Sequence, residues 1–412
     1  MAFWSSWFGG RGAGIRAKGV QDGAPNNPNA VYPVTWDSAL QLSAVWACVR
    51  LLSESIASMP IKFYLKDGKG ERTAYDNHPL CDLLNYSPNR YQTRQEFFET
   101  LMFNLFLHGN CYAHVERRSN KTISSLLPLM SQQMQVATID GGDRVYNYTE
   151  NTMMVFAQET VWHVPLMPSN AIIGLSPLNY ASKVVGIAEA AENRVGTSAR
   201  NGFKPTGVLM IDRVLSDAQR NAIRANFSDL QEGSGDALRV LEAGMTYQQI
   251  SISPKDAQLL ETRQFSIEEI ARFFNVPSVL INDTKSTTAW GTGIGQIVEG
   301  FGKFSLRPIT EKLEASMSKW LLTPAEQRTI DIEFDFDALM RGDSLTRANI
   351  AQVQINSGTR TINEVRKVDG IGPLAGGDDA YMQAQMTPIS TLIKGNGQNA
   401  PQSTPNKQPV GA

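Results

Sequence analysis

"SPLNYASKVVGIAEAAENRVGTSARNG", residues 176–202, predicts one long helix, and this stretch decides the fold. Ser176 is a good helix cap, and Pro177 fits the first turn because its missing N–H is not needed there. A second stretch, "SPKDAQLLETRQFSIEEIARFFNVP", residues 253–277, repeats the Ser-Pro start and stops before Pro277. Each helix spans about 35 Å at about 1.5 Å per residue, which exceeds the usual globular length. The rest of the chain is therefore organised around two matched long helices.

The residues between these helices, 203–253, have a pattern of their own. The runs "TGVLMI", "SDAQRNAIRANFSDLQEG", "LRVLEAG" and "YQQISI" predict a strand, a helix and two strands. A small α/β module is therefore expected at the far end of the helix pair. Ser266-x-x-Glu269 would fit a capping box that splits the second helix, but a serine inside a continuous helix is the favoured interpretation.

The first long helix is rich in small residues, which let a neighbouring helix approach closely. They are Ala181, Ser182, Gly186, Ala188, Ala190 and Ala191. We expect this face to pack against the other long helix or against an adjacent chain.

The segments before the long helices mix helical and strand patterns. "WDSALQLSAVWACVRLLSESIASMP", residues 36–60, predicts one helix, and "IKFYLK" starts a strand pair that turns at Asp67-Gly68. "TRQEFFETLMFNLFLHG" predicts a helix that closes on Gly109, and short alternating strands follow as far as Pro165. This pattern indicates an α+β domain.

The segments after the long helices return to the same mixture. "FSLRPITEKLEASMSKWLL", residues 304–322, predicts a helix that Pro308 kinks. "TIDIEFDFDALMRGD" predicts a strand, and "SLTRANIAQVQINSG" and "TINEVRKV" predict two short helices, the last behind the capping box Thr361-x-x-Glu364.

The predicted strand offers an enzymatic alternative, because carboxylates on one face can bind Mg²⁺ and activate water. Its acidic residues are Asp331, Glu333, Asp335 and Asp337, which alternate with Ile330, Ile332, Phe334 and Phe336. A metal-dependent hydrolase or nuclease is therefore the alternative function. However, the same alternation is typical of any half-exposed strand, and none of the 4 histidines is spaced to join the site. We predict no catalytic residue, no metal and no cofactor.

"STTAWGTGIGQ", residues 286–296, is a polar glycine-rich run between two apolar segments. A phosphate-binding P-loop is excluded, because Ile297 replaces the required first glycine and Phe304 replaces the hydroxyl after Gly302-Lys303. The run therefore predicts a flexible loop. It either contacts a partner or is a solvated connection.

The composition restricts the class of protein. The chain has 412 residues, 42% of them hydrophobic and 19% charged, with no apolar run long enough for a membrane span. Two or three structural units and synthesis in a cytoplasm are expected. Cys48, Cys81 and Cys111 suggest neither a disulfide framework nor a zinc site. A net charge of −2 indicates that any contact with nucleic acid is weak or passing.

Both ends of the chain have the composition of flexible segments. Residues 1–35 are rich in Gly, Pro and Asn, and residues 387–412 predict a disordered tail. Trp4, Trp7 and Phe8 would suit an anchor on a partner, but a poorly ordered terminus is the favoured interpretation.

Six stretches in order resemble the portal proteins of tailed double-stranded DNA bacteriophages of the siphovirus type. They are "AVWACVRLLSESIASMP", "GLSPLNYA", "NGFKPTGVL", "ISISPKDAQLLETRQFSIEEIARFFNVPSVLI", "RGDSLTRA" and "TINEVR". No single one is decisive, but together they extend the resemblance from Trp36 to Tyr381.

The resemblance implies a portal fold, assembled as a dodecameric ring at one vertex of the capsid, through which DNA is packaged and ejected. The partners implied are further copies of the chain, double-stranded DNA, the terminase large subunit, the head-tail adaptor and the major capsid or scaffold protein, with no membrane. The virion is the implied location. The regions implied are a wing (36–174 and 277–342), stem helices (175–202 and 254–276), a clip (203–253), a kinked helix within 277–342 and a helical crown (343–386).

In this scheme the glycine-rich run is the tunnel loop, about residues 283–300, which reaches into the channel. The residues expected to meet DNA there are Lys285, Ser286, Thr287, Thr288, Trp290, Thr292 and Gln296. Their hydroxyl, amide and ammonium groups suit transient phosphate contacts, and Trp290 suits bracing of the loop or contact with DNA. A near-neutral conduit would let DNA slide, whereas a strongly basic one would hold it.

Overall fold

The computed structural model describes residues 20–21, 34–67, 71–139, 142–168, 172–200, 207–211, 216–217, 245–249, 253–282, 292–339 and 344–381. The chain divides into two compact units, Met1–Phe336 and Asp337–Ala412. Within the described residues, no helix combines the length and the apolar character that crossing a membrane requires. The predicted tail, 387–412, lies outside the described residues, as do Trp4, Trp7 and Phe8.

The part of the first unit before Gly109 contains four described helices, α1 to α4. Their bounds are Trp36–Gln41, Ser43–Ser58, Pro79–Asn85 and Arg94–His108. The prediction of one helix over 36–60 is wrong in one respect, because buried Leu42 has extended backbone angles and separates α1 from α2. Helix α4 ends as predicted at Gly109, which has the left-handed conformation (φ 76°), and Thr93 and Glu96 form a capping box that the sequence analysis did not identify. Helices α2 and α4 pack together, and Leu52 of α2 and Leu101 of α4 are both buried.

Antiparallel strands complete the body of this unit. Strands β1 to β9 are Val20–Gln21, Ile61–Lys66, Arg72–Ala74, Asn110–Arg117, Ile123–Leu129, Met134–Thr138, Arg144–Thr149, Met153–Ala157 and Val161–Pro165. One described sheet has the order β1-β6-β7-β8 and another the order β5-β4-β9. Tyr112, Met134, Val136 and Tyr146 belong to the buried cluster that these strands share.

Strand β1 corrects the prediction of a flexible arm over 1–35. Val20 pairs with Val136 and Gln21 with Gln135, so that this part of the arm forms the edge of a sheet. Val34 is also buried and Thr35 caps α1, so the ordered body begins before residue 36.

The two long helices are present. Helix α5 covers Pro177–Arg200 and helix α6 covers Ser253–Phe273, each a few residues shorter than predicted. Ser266 lies inside a continuous α6, where its hydroxyl donates to the Thr262 carbonyl at 2.8 Å, so the favoured interpretation is confirmed. Between α5 and α6 in the chain, β10 (Gly207–Ile211) and β11 (Met245–Gln249) pair antiparallel. The helix and strand predicted within 212–244 fall almost entirely outside the described residues.

The chain after α6 forms an irregular helical segment and then a strand. Helix α7 is Thr292–Phe301, a π-helical turn covers Gly302–Leu306, and helix α8 is Arg307–Leu321. Strand β12 (Ile330–Phe334) pairs with β2 and completes the sheet β12-β2-β3. The strand is shorter than predicted, because Phe336 already begins the short helix α9, Phe336–Leu339.

The second unit contains α10, Ser344–Asn356, and α11, Ile362–Val368. The capping box of Thr361 and Glu364 is present as predicted. Helices and antiparallel sheets occur together throughout the described chain, which confirms the predicted α+β class.

Candidate functional site

The site begins where α6 ends and the chain turns toward the predicted tunnel loop. Asn275 adopts the left-handed conformation (φ 54°), and the Val276 N–H donates back to the Ala271 carbonyl at 2.9 Å. Such a bond closes the last turn of a helix. A short 3-10 turn, Ser278–Ile281, follows and ends at Asn282, whose φ is also positive. The described chain resumes in α7.

The structure separates the predicted channel residues into two groups. Lys285, Ser286, Thr287, Thr288 and Trp290 lie outside the described residues. Thr292 and Gln296 are helical, since α7 starts at Thr292, and the Gln296 side chain is exposed. The prediction of a flexible loop over 283–300 is therefore wrong from residue 292 onward.

The misleading signal was glycine, because Gly293 and Gly295 lie inside the helix. Ile294, Ile297 and Phe301 have the spacing of one helical face, and this pattern could have revealed α7. Glycine costs an isolated helix about 1 kcal/mol per residue, which apolar packing can outweigh. Phe301 is buried, in agreement with such packing.

A π turn joins α7 to α8, and the end of α6 supports it. The Arg307 N–H donates to the Gly302 carbonyl, five residues back, as a π turn requires. Pro308 has no N–H to offer the Phe304 carbonyl. The Asn275 side-chain amide takes its place and donates to that oxygen at 3.1 Å, while the Ser305 hydroxyl donates to the Asn275 carbonyl at 2.5 Å. The predicted irregularity at Pro308 is thus present as a π turn just before it.

A groove lies between the end of α6 and the α7–π segment. It has a volume of about 670 Å³. Apolar groups from both walls line it, with Glu268 and Arg272 on the α6 side. Its apolar lining comprises Ala271, Val276, Pro277, Val279, Ile297, Phe301 and Phe304. The Phe304 side chain is 68% exposed, so this part of the groove is open to solvent.

The paired helices pack through the small face of α5. Ala181, Val185, Ala188 and Ala191 are buried, and α5 packs against α6, α1 and α4. This agrees with the expectation from the small residues. Arg263 of α6 also contacts Glu192 of α5, with Nη2 and Oε1 3.4 Å apart.

The start of α5 is held by a close backbone contact between Gly109 and Gly174. A Cβ at Gly174 would lie 2.1 Å from the Gly109 carbonyl oxygen, so only glycine fits there. The Asn110 side chain holds the same point: its Oδ1 accepts from the Gly174 N–H at 2.7 Å, and its Nδ2 donates to the Gly174 carbonyl at 3.2 Å. The Ser176 hydroxyl donates to the Leu107 carbonyl at 2.5 Å, which fixes the first residue before the helix.

Buried His163 extends this network. Its Nε2 lies 3.1 Å from the Asn110 Oδ1 and its Nδ1 lies 3.3 Å from the Tyr146 hydroxyl. Because an amide oxygen only accepts, Nε2 carries the proton and Nδ1 accepts from Tyr146. Burial, together with the positive charge of Arg144, lowers the pKa of His163 to about 3. The ring is therefore neutral at pH 7.

The acidic strand does not form a metal site. Asp331 Oδ1 lies 2.5 Å from Lys66 Nζ, Glu333 pairs with Arg72, and Asp335 Oδ2 lies 3.0 Å from Lys62 Nζ. The neighbouring strands thus supply a cation for each of these carboxylates. Asp337 lies in α9 and not on the strand.

The geometry of these residues therefore does not support the hydrolase alternative. Throughout the described part of the chain, no group of three or more His, Cys, Asp or Glu side chains is placed to hold a metal ion.

Two long helices packed together on an α+β body, with an antiparallel strand pair between them in the chain, match the arrangement of a phage portal fold. The structure is similar to the neck of an empty gene transfer agent particle, with a TM-score of 0.59, 24% identity, and coverage of 83% of this chain and 95% of that one. It is also similar to the crystal structure of an HK97-family phage portal protein from Corynebacterium diphtheriae, with a TM-score of 0.56, 18% identity, and coverage of 74% and 96%. These likenesses show the fold.

Sequence comparison identifies the family. The profile of the phage portal protein family matches residues 43–370. The portal protein of Enterobacteria phage HK97 is 36% identical over 397 residues, which cover 94% of this chain and 92% of that protein. The probable portal protein of Streptomyces phage phiC31 is 31% identical, with coverage of 92% and 87%. The chain belongs to the phage portal protein family.

Membership confirms the function that the resemblance implied. The chain is a structural component of the virion and serves as the channel for DNA at a capsid vertex.

Proposed function

We propose that twelve copies of this chain assemble into a ring around double-stranded DNA and that the ring passes the DNA during both packaging and ejection. The observation that carries the proposal is the family match over residues 43–370. A ring of twelve is supported by the similarity to the neck of a native gene transfer agent particle computed with C12 symmetry, at a TM-score of 0.58 and 22% identity.

The regions keep the roles that the resemblance implied. Residues 36–174 and 277–342 are the wing, residues 175–202 and 254–276 are the stem, and residues 203–253 are the clip. The packing of α5 against α6 and the antiparallel strand pair β10–β11, which lies between them in the chain, support a stem that ends in a clip. Residues 343–386 are the crown, and α10 and α11 support its helical character.

The channel segment meets DNA through weak polar contacts. The residues proposed for it remain Lys285, Ser286, Thr287, Thr288, Trp290, Thr292 and Gln296. Gln296 lies on α7 with its side chain exposed, which supports a DNA contact from the helical part of this segment. A net charge of −2 supports passage of DNA, since few counterions are released by binding and DNA is not held. The ring itself catalyses no reaction, and the terminase motor supplies the energy for movement.

The clip, residues 203–253, docks the terminase large subunit and later the head-tail adaptor, and the wing contacts the major capsid or scaffold protein. Removal of the clip with a short linker should leave rings but abolish binding of the terminase. Retention of terminase by the shortened protein in a pull-down would contradict this assignment. A second deletion, of the 387–412 tail, is the control that should leave binding unchanged.

Electron microscopy of the full-length protein, with no symmetry imposed, tests the ring. The channel role is tested in heads built with a variant in which residues 286–290 are replaced by a neutral linker, so that α7 stays intact. Rings should form and packaged DNA per head should fall, because a polar loop contributes little apolar burial to assembly. Lys285→Ala should have a weaker effect that shrinks as salt rises. Full packaging by the linker variant would show that the segment is a solvated connection.

A further inference from the structure

Helix α5 presents an exposed strip that the described residues leave uncovered. Tyr180 is 63% exposed and Ile187 is 36% exposed, with exposed Lys183 between them. The spacing of three and four residues places these side chains on one face of the helix. That face is opposite the one that buries Leu178 and Val185. Two large apolar side chains beside a cation are therefore available to a partner.

The groove beside α6 is a second surface, and its charge and apolar character complement those of the α5 strip. Its walls are apolar, and the Glu268 carboxylate lines its α6 side. Arg272, on the same wall, is already ion-paired with Glu269. The groove therefore offers an apolar surface with a negative charge, whereas the α5 strip offers apolar side chains with a positive charge.

The strip on α5 and the groove beside α6 lie at the same position along the long axis of the helix pair. Helix α5 leaves the body at its start and α6 returns to it at its end, so the two helices run antiparallel. The contact between Glu192 and Arg263 fixes their register. Twelve residues before Glu192 is Tyr180, and twelve residues after Arg263 is Asn275, which lines the groove. By the same register, Ile187 lies level with Glu268.

We propose that the α5 strip of one copy occupies the α6–α7 groove of the adjacent copy in the ring. The inference rests on the proposed ring and names the surfaces that close it. A ring with one rotation axis needs a head-to-tail contact, in which two different patches of the same chain meet. When the rotation axis runs parallel to the helices, rotation does not change the position of a residue along that axis. Two patches can therefore meet all around the ring only if they lie at the same position along the helices. Tyr180 and Ile187 enter the apolar groove, and Lys183, which lies level with Arg272, extends its side chain one turn, about 6 Å, along the helix to pair with Glu268.

Charge reversal tests the pair Lys183 and Glu268 in the full-length protein. Lys183→Glu and Glu268→Lys should each lower the fraction of protein in rings, measured by native mass spectrometry at low salt. An exposed pair contributes a factor of about two to five per contact, and the loss compounds because every subunit of a closed ring repeats the contact. The double variant should recover rings, since it restores an attractive pair with its direction reversed. Lys121→Glu, the same charge change on the exposed turn between β4 and β5, is the matched control and should leave rings unchanged.

Cysteine pairing tests the apolar part and identifies the occupant. Tyr180→Cys and Val279→Cys are prepared separately, mixed and oxidised; the native cysteines are buried. A disulfide-linked dimer that forms only in the mixture supports the proposal. A disulfide within one chain of the double-cysteine variant would overturn it, because the groove would then be filled by its own chain. Rings that persist in both single charge-reversal variants would also overturn the proposed contact while leaving the proposed function intact. A wild-type protein that forms no ring would refute the proposed function itself.

Discussion

Gly174→Ala should destabilise the chain strongly, because the joint at the start of α5 has no space for a methyl group. The new Cβ would lie 2.1 Å from the Gly109 carbonyl oxygen and 2.5 Å from the Leu166 nitrogen. Both are backbone atoms, so no side-chain rotation relieves the contact. Overpacking costs about 1–3 kcal/mol, and displacement of the two hydrogen bonds to Asn110 costs about 1 kcal/mol each. The expected loss in the free energy of unfolding is about 3–5 kcal/mol, a large share of the usual 5–15 kcal/mol of a domain.

Gly196→Ala is the matched control, because it makes the same chemical change inside α5. A Cβ at Gly196 meets nothing within 4 Å. Alanine is favoured over glycine in a helix by about 0.5–1 kcal/mol, so this variant should be slightly more stable than the wild type. Urea unfolding followed by circular dichroism should show the midpoint moving down for Gly174→Ala and up for Gly196→Ala. Equal stability of Gly174→Ala and wild type would refute the argument from close contact.

Three further predictions concern single side chains. Asn275→Gly keeps the left-handed turn and loses only the bond to the Phe304 carbonyl, so it should cost about 1 kcal/mol, whereas Asn275→Ala adds backbone strain and should cost about 2–3 kcal/mol in the same urea assay. Because the folded-state pKa of His163 is lowered to about 3, the unfolded chain binds the extra proton below pH ~6.5, and stability should fall by about 2–3 kcal/mol from this residue between pH 6.5 and 4.5. His163→Gln should make the measured pH dependence shallower. Lys62→Met should destabilise by about 1–2 kcal/mol because it removes a half-exposed cation from its ion pair with buried Asp335, and Mg²⁺ should not raise the melting temperature of the wild type.

The long helices were predictable because their signals are local. Ser176 and Pro177 mark the start of α5, and the run of apolar and small residues continues without a breaker for many turns. The capping box of α11 was visible for the same reason. Where helix propensity, capping residues and hydrophobic periodicity indicate the same element within a few residues, that element can be predicted from the sequence.

The missed elements depend on contacts between distant residues. The break at Leu42 has no proline or glycine to mark it, and burial of its side chain accompanies it. Strand β1 exists through pairing with β6, far along the chain. In the candidate site, Gly293 and Gly295 are typical of a loop but lie within α7, whose apolar residue Phe301 is buried. The π turn is supported by a hydrogen bond from Asn275, which lies on another element. None of these contacts can be read from the residues next to them.

The π turn at Gly302–Leu306 has a further consequence for the direction in which α7 presents its faces. A π turn amounts to an α-helix with one residue inserted. Such an insertion rotates every helical residue before it by about 100° around the helix axis and shifts it by about 1.5 Å along that axis. The direction in which Gln296 points around the helix axis is thus set by a single extra residue between Phe301 and Arg307. Removal of one residue there would turn α7 by more than a quarter revolution while α8 kept its place against β12.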